Sequence, residues 1–300
     1  MIEVQGLTKV YGTTRAVDGL DFAVGKGEIV GFLGPNGAGK STTMRILCGA
    51  LGATAGRAAI GGHDVLEQPR EVKRLVGYLP EVPPLYPEMG VRTYLRYCAR
   101  IKQAEEPEQR VEAVMARVGL AEVAHRLIGH LSKGFRQRVG LAQALVHAPR
   151  VLILDEPASG LDPAQRVEIR SLVRELAQGE VTVVLSTHVL SEVEAICDRV
   201  IIVHRGRIVA QDTVEALSRV GSALELRVAR PGSGVSEAIR AVEGVSAVTD
   251  LGDGRFEVAA EHDVREQVAH ATVGFGLLEL GAQQALEDAY LALTASAEEA

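Results

Sequence analysis

The chain has 300 residues, of which 47% are hydrophobic, so it can form about two domains with buried cores. Its 32 basic and 39 acidic residues give a formal net charge of −7, which argues against a general nucleic-acid-binding protein. We find no apolar run long enough to span a bilayer and no secretion signal. The three cysteines, Cys48, Cys98 and Cys197, are too widely spaced for a disulfide framework or a zinc site. We therefore expect a cytoplasmic protein.

The first elements are predicted as short strands separated by glycine-rich turns. A strand is predicted over Glu28 to Leu33, and a helix over Thr42 to Leu51, where apolar residues recur at the spacing of one helical face. Gly34 to Ser41, between them, fits the pattern G-x-x-x-x-G-K-S. In such a loop the backbone amides surround phosphate oxygens, Lys40 reaches the β- and γ-phosphates, and the Ser41 hydroxyl ligates Mg²⁺. The sequence therefore predicts a nucleotide site.

The middle of the chain is predicted to be an all-helical insert over about residues 88–148. A proline-rich segment, Pro80 to Pro87, precedes it and is predicted as a loop, because proline lacks the amide hydrogen that helices and sheets use. In the last predicted helix of the insert, apolar side chains recur at 3.6-residue spacing, namely Phe135, Val139, Ala142 and Val146. Ser132 stands before this helix, in the position of an N-cap. Alternatively, the free backbone amides at the start of the helix form an anion site.

Strand character returns after the insert. The apolar runs Val151 to Leu154 and Val181 to Leu185 are typical of strands buried on both faces, and a helix is predicted between them over Ala164 to Ala177. This alternation indicates a parallel sheet, whose ligands bind beyond the carboxyl ends of the strands.

Acidic residues and a histidine follow these two strands at the same predicted edge. Asp155 suits Mg²⁺ coordination, and Glu156 suits the orientation or deprotonation of an attacking water. His188 follows the second strand. A solvated acidic loop and a structural histidine are the plain alternatives, and the phosphate loop upstream favours the catalytic interpretation.

Residues 221–300 are predicted to form a separate accessory domain after a nucleotide-binding domain over 1–220. The predicted elements are a strand over Ala223 to Ala229, a helix over Val235 to Val242, a hairpin around Gly252 to Gly254, and a further helix, strand and final helix ending near Leu293. The order β-α-β-β-α-β matches a ferredoxin-like α+β domain. We expect it to favour pairing of two copies or to dock a regulator, with a passive stabilising role as the alternative.

Taken together, these motifs resemble the ATP-binding subunits of ABC (ATP-binding cassette) transporters over about Ile2 to Leu217. The family's nucleotide-binding residues correspond here to Tyr11, Gly34, Pro35, Asn36, Gly37, Ala38, Gly39, Lys40, Ser41 and Thr42. The resemblance implies that Glu156 is the catalytic carboxylate and His188 the switch histidine. It also implies that Leu131 to Phe135 is the signature motif, with Ser132, Lys133 and Gly134 contacting a partner's nucleotide, and that Asp162 belongs to the D-loop. The implied fold is a P-loop NTPase with amino-terminal antiparallel strands.

Three positions depart from the usual family pattern, two of them in the signature motif. The signature has Lys133 and Phe135 where the family has glycine and glutamine, and Glu81 stands where the family keeps a glutamine. In these three residues the chain resembles the branch of the family that serves type-2 ABC permeases. That branch includes daunorubicin-resistance, gliding-motility and copper-site-maturation subunits. The implied metal ligands are Ser41, Glu81 and Asp155.

The resemblance implies a Mg²⁺-dependent ATPase that powers a separate membrane exporter. Its implied partners are an integral-membrane permease and a second ATP-binding subunit packed head to tail, with no nucleic acid and a peripheral location on the cytoplasmic face of the membrane. A soluble ABC ATPase that acts on a macromolecule is the first alternative, although the short interval from Lys40 to Ser132 leaves no room for a coiled-coil insertion. A P-loop kinase is the second, and it would not explain the signature or His188.

Overall fold

A computed structural model of the chain describes residues 1–178, 181–219, 223–260, 262, 264–282, 286–287, 289–291 and 293–294. The chain forms two compact units, Met1–Asp212 and Thr213–Ala300. The boundary therefore lies a few residues before the position at 220 that the sequence suggested.

The first unit contains two sheets and seven α-helices among its described residues. In chain order its elements are β1 (Ile2–Tyr11), β2 (Thr14–Val24), β3 (Ile29–Leu33), α1 (Lys40–Leu47), β4 (Ala55–Ile60), β5 (His63–Asp64), α2 (Pro69–Leu75), β6 (Val76–Leu79), α3 (Val91–Ile101), α4 (Pro107–Arg117), α5 (Lys133–Leu145), β7 (Val151–Asp155), α6 (Pro163–Gln178), β8 (Thr182–Thr187), α7 (Leu190–Ile196), β9 (Arg199–His204) and β10 (Arg207–Thr213). The antiparallel sheet has the order β2-β1-β4-β5, and the larger sheet has the order β10-β9-β3-β8-β7-β6.

The centre of the larger sheet is parallel, as the alternation of strands and helices predicted. Strand β3 pairs in parallel with β8 and β9, and β7 pairs in parallel with β6 and β8. All five residues of β3 and of β7 are buried, which explains why their sequences are continuous apolar runs. The carboxyl ends of β3, β7 and β8 consequently meet at one edge.

Alternate side chains of these strands enter two different hydrophobic cores. Val151 and Ile153 pack into a core with β1, β2 and α1, whereas Leu152 and Leu154 pack into a core with the helices of the insert. This division follows from the two-residue side-chain period of a strand, which sends neighbours to opposite faces of the sheet. Residues 88–148 contribute α3, α4 and α5 to the second core, and the proline-rich segment before them is a loop.

The second unit has the predicted ferredoxin-like order. Its elements are α8 (Val214–Arg219), β11 (Ala223–Val228), α9 (Ser233–Arg240), β12 (Val245–Gly252), β13 (Arg255–Ala260), α10 (Arg265–Thr272) and β14 (Leu277–Ala282). The strands form an antiparallel sheet of order β12-β13-β11-β14 around a core that includes Leu226, Val235 and Phe256. The predicted final helix, ending near Leu293, lies partly outside the described residues.

Within the described ranges, no helix is both long and apolar enough to cross a membrane.

Candidate functional site

The carboxyl edge of the parallel sheet contains a cavity of about 470 Å³. Its charged walls come from three strand ends and from the loop after β6. The lining residues are Ala16, Pro35, Asn36, Gly37, Ala38, Gly39, Lys40, Ser41, Thr42, Glu81, Glu156, Ser159 and His188. The structure therefore brings the predicted phosphate loop, the catalytic pair and Glu81 to one site.

The loop from Gly34 to Gly39 packs so closely against its neighbours that it needs glycine at both ends. A Cβ on Gly34 would lie 2.2 Å from the Val203 carbonyl oxygen, and one on Gly39 would lie 2.3 Å from the Ala16 carbonyl oxygen. Gly39 is also the N-cap of α1 and has a φ of 102°, which lies in the left-handed region. The free amides at the start of α1 consequently face the cavity, where they can bind phosphate.

Lys40 is a buried cation held inside this loop. Its side chain is 5% exposed, and its Nζ donates hydrogen bonds to the carbonyl oxygens of Gly34 at 2.6 Å and Pro35 at 3.2 Å. Burial lowers the pKa of Lys40, and the nearby carboxylates of Glu156 and Asp155 oppose that shift. Its Nζ lies 3.7 Å from Oε1 of Glu156. The ammonium group is thus available for an anionic ligand in a poorly solvated site.

Asp155 and Ser41 form a pair of oxygen donors beside the loop. The Ser41 hydroxyl donates to Oδ1 of Asp155 at 2.9 Å, and the Asp155 carboxylate is buried at the end of β7. A carboxylate next to a hydroxyl is the kind of oxygen set that Mg²⁺ prefers.

Glu156 and His188 contact each other across the ends of β7 and β8. His188 Nδ1 lies 3.0 Å from both carboxylate oxygens of Glu156, which is within the reach of a direct hydrogen bond from a protonated Nδ1. Glu156 is 8% exposed and has a φ of 48°, an uncommon conformation for a residue with a Cβ. With His188 beside it at the edge of the cavity, the Glu156 carboxylate can accept a proton from a water there.

The signature residues Ser132, Lys133 and Gly134 and the D-loop residue Asp162 do not line this cavity, whereas Ser159 at the start of the D-loop does. Ser132 caps α5 by accepting a hydrogen bond from the Phe135 amide at 3.3 Å, so the capping role that the sequence allowed is observed. Gly134 packs against the Gln165 side chain, and Asp162 accepts a hydrogen bond from the Gln165 amide at 2.9 Å.

Tyr11 and Lys133 are not among the residues that line the cavity. The Lys133 side chain lies against Gly160, and Tyr11 is 47% exposed with Lys9 Nζ 5.4 Å from its ring centre. Adenine stacking by Tyr11 stays a prediction.

Two residues at or beside the site were not assigned a role from the sequence. Ala16 lines the cavity, and Ser186 donates a hydrogen bond to Asp155. Ala16 approaches Gly39 with its backbone carbonyl, which leaves no signal in the side-chain pattern. Ser186 does leave one, because a polar residue at the carboxyl end of a buried strand faces the ligand edge.

The sequence matches known proteins along most of its first unit. A family model described as ABC transporter matches residues 17–159. The chain is 41% identical to an uncharacterised ABC transporter ATP-binding protein of Bacillus subtilis, over 69% of each chain. It is 37% identical to a daunorubicin resistance ATP-binding protein of Streptomyces coeruleorubidus, over 83% of this chain and 80% of that one. A linearmycin resistance ATP-binding protein of B. subtilis is 33% identical over 98% of both chains. These relatives confirm the predicted resemblance.

Solved structures give the same result for the fold. The structure of an ATP-binding subunit of an ABC transporter aligns with a TM-score of 0.68 at 32% identity, covering 73% of this chain and 92% of that one. An ATP-binding cassette described as dimeric and bound to ADP and phosphate aligns with a TM-score of 0.67 at 23% identity, covering 71% and 99%. At that identity the second likeness supports the fold alone.

We expect Gly39→Ala to weaken ATP binding more than Gly37→Ala. Both residues have positive φ, but a Cβ on Gly37 has no neighbour within 4 Å, whereas one on Gly39 collides with the Ala16 carbonyl. Left-handed strain costs about 1–2 kcal/mol in either variant, and the collision adds about 1–3 kcal/mol, or roughly a further 10- to 100-fold in affinity. Calorimetric titration with ATP measures the difference. Equal losses in the two variants would contradict the packing argument.

Proposed function

Because the chain belongs to the ATP-binding subunits of ABC transporters, we propose that it powers a separate, membrane-embedded exporter. It is an ATP hydrolase of the ABC type. The observation that carries the proposal is the convergence of the phosphate loop with Glu156 and His188 in one cavity. Relatives named for daunorubicin resistance, linearmycin resistance and bacitracin transport support an export function.

Each side chain of the site has a defined part in hydrolysis. The amides at the start of α1 and the Lys40 ammonium hold the phosphates and stabilise the charge that develops on the transferred group. Glu156 accepts the proton of the attacking water, and His188 keeps its carboxylate in position through the 3.0 Å hydrogen bond. Burial of Lys40 and Glu156 strengthens both effects, because charges interact more strongly where water is excluded.

We further propose that Mg²⁺ accompanies ATP in this site. The Ser41 hydroxyl and the Asp155 carboxylate fit this ion because both are hard oxygen donors, and Glu81 lines the same cavity with a second carboxylate. Among the described residues, no group of three or more His, Cys, Asp and Glu side chains could hold a metal by itself, which suits an ion shared with phosphates and water. When bound, Mg²⁺ would neutralise charge on the β- and γ-phosphates.

The working form is proposed to be a head-to-tail pair of chains. Ser132, Lys133 and Gly134 lie outside the cavity of their own chain, so a second subunit is needed to bring a signature motif to the nucleotide. Their position at the start of α5, where backbone amides are free, suits the binding of a γ-phosphate. Lys133 would add a positive charge to that contact. Asp162 would lie at the same interface.

Contact with the permease is proposed to use an apolar patch on the first unit. The patch consists of Tyr86, Tyr97 and Ile101, all of which are exposed. The rings of Tyr86 and Tyr97 are 5.9 Å apart, and Ile101 lies one turn after Tyr97 on α3. The patch lies on α3 and on the proline-rich loop that also contains Glu81, a residue of the ATP cavity. Exposed apolar clusters of this kind mark protein interfaces. Movement at the nucleotide would reach the permease through that loop.

The second unit is proposed to strengthen pairing of two copies. It has its own hydrophobic core, and the residues that line the ATP cavity all belong to the first unit. The permease and the pairing together would hold the chain at the cytoplasmic face of the membrane.

We expect Glu156→Gln to bind ATP and to accumulate as a dimer. The variant removes the proton acceptor but keeps the hydrogen-bonding shape, so chemistry stops while binding continues. Size-exclusion chromatography with saturating ATP measures the dimer, and Lys40→Ala, which should not retain nucleotide, is the control. A Glu156→Gln protein that stays monomeric and still hydrolyses ATP at the normal rate would contradict both the base assignment and the paired form.

We expect the double variant Tyr86→Ser and Tyr97→Ser to lose the permease while keeping basal ATP hydrolysis. Neither residue touches the ATP cavity, but both form the apolar patch. Co-purification with the co-expressed permease from detergent-solubilised membranes measures the contact. Leu66→Ser is the control, since Leu66 is 73% exposed elsewhere on the same unit. Equal recovery of both variants with the permease would contradict this assignment of the surface.

We expect truncation after residue 220 to leave ATP binding intact and to weaken self-association. The nucleotide site lies within the first unit, whereas the pairing contact is assigned to the second. Analytical ultracentrifugation with ATP should give a raised dissociation constant for the dimer. Unchanged association would overturn the pairing role, and lost ATP affinity in a folded fragment would overturn the domain boundary.

A further inference from the structure

Ser186 is a fully buried polar residue at the carboxyl end of β8. It has 0% exposure and follows three buried apolar residues of the strand, Val183, Val184 and Leu185. Strand β8 lies between β3, which leads into the phosphate loop, and β7, which ends in Asp155. In the parallel register Ser186 is opposite Phe32 on one side and Asp155 on the other. A buried hydroxyl at this point is costly unless it is hydrogen-bonded.

The Ser186 hydroxyl contacts both acidic residues that follow β7. It donates to Oδ1 of Asp155 at 2.5 Å and accepts from the Glu156 amide at 3.2 Å. The Glu156 amide also donates to the Ser186 carbonyl oxygen at 3.1 Å. One serine therefore contacts the carboxylate assigned to Mg²⁺ and the backbone of the catalytic base.

These contacts have two consequences for the site. Asp155 receives the Ser186 and Ser41 hydrogen bonds on the same oxygen, which fixes the rotation of its carboxylate. Glu156 has a left-handed backbone, which is unfavourable in a residue with a Cβ, and the two hydrogen bonds on its amide help to hold that conformation. Without the hydroxyl, the Asp155 carboxylate could rotate and the Glu156 amide would lose one of its two acceptors.

We propose that Ser186 is a positioning residue that orients Asp155 toward the divalent ion and Glu156 toward the attacking water. This inference rests on the proposed Mg²⁺ site. It predicts that removal of one hydroxyl, from a residue that does not line the ATP cavity, weakens both metal binding and turnover. Residues that orient metal ligands by hydrogen bonds commonly affect affinity or activity by roughly 10- to 100-fold.

The test compares two variants of the full chain that each delete one buried hydroxyl from β8. Ser186→Ala removes the hydroxyl at the carboxyl end. Thr182→Val is the matched control, because the Thr182 hydroxyl is equally buried but bonds Gly25 and Gly27 at the opposite end of the strand. Thermal melting reports any general loss of stability in both proteins.

Metal binding is measured by electron paramagnetic resonance titration of Mn²⁺ into each protein with ATP, and turnover by steady-state hydrolysis. For Ser186→Ala we expect kcat to fall and the Mn²⁺ dissociation constant to rise, each by roughly 10-fold or more. KM for ATP and ATP affinity without divalent ion should stay unchanged, and Thr182→Val should behave like the unaltered chain.

Two results would overturn the proposal. If Ser186→Ala matches the control in both kcat and Mn²⁺ affinity, Ser186 serves the fold alone. If the unaltered chain binds ATP but no Mn²⁺, the metal assignment is wrong and this inference fails with it. Lower kcat together with weaker Mn²⁺ binding in Ser186→Ala, at a melting temperature equal to that of Thr182→Val, supports the positioning role.

Discussion

The site depends on the parallel register of three central strands. Strand β8 pairs with β3 on one side and with β7 on the other, so the phosphate loop, the acidic pair and the histidine all leave the sheet at one edge. Hydrogen bonds across the strand ends then link the three segments, from Ser41 to Asp155 and from His188 to Glu156. The register is itself fixed by burial, because a shift of one residue would send every apolar side chain to the opposite core.

Much of this arrangement could be predicted from the sequence, for physical reasons. Continuous apolar runs such as Val151 to Leu154 identify strands buried on both faces, and Gly34 to Ser41 has few uses other than phosphate binding. The order of strands and helices predicted for residues 221–300 likewise indicated the ferredoxin-like arrangement of the second unit. In each case a local pattern is tied directly to a local structure.

Other features required the three-dimensional arrangement. The contact of Gly39 with the Ala16 carbonyl joins distant parts of the chain through a backbone atom, which has no side-chain signature. The left-handed backbone conformation of Glu156 also leaves no signal in the sequence, because glutamate does not favour this conformation. Ser186 was visible as a polar residue at a strand end, but its two partners follow from the pairing of β7 with β8. Side-chain identity predicts what a residue can bond, and the fold decides which partner is within reach.

The separation of the two cores on either face of the sheet also bears on how such a chain can diversify. Val30, Phe32 and Met44, which support the phosphate loop, pack on the face opposite to the helical insert. Leu95, Met115 and Val139 of the insert pack with the other face of the same strands. Substitutions that reshape the insert therefore leave the packing beneath the phosphate loop intact. The sheet lets one half of the first unit change its surface while the other half keeps the geometry of the phosphate loop constant.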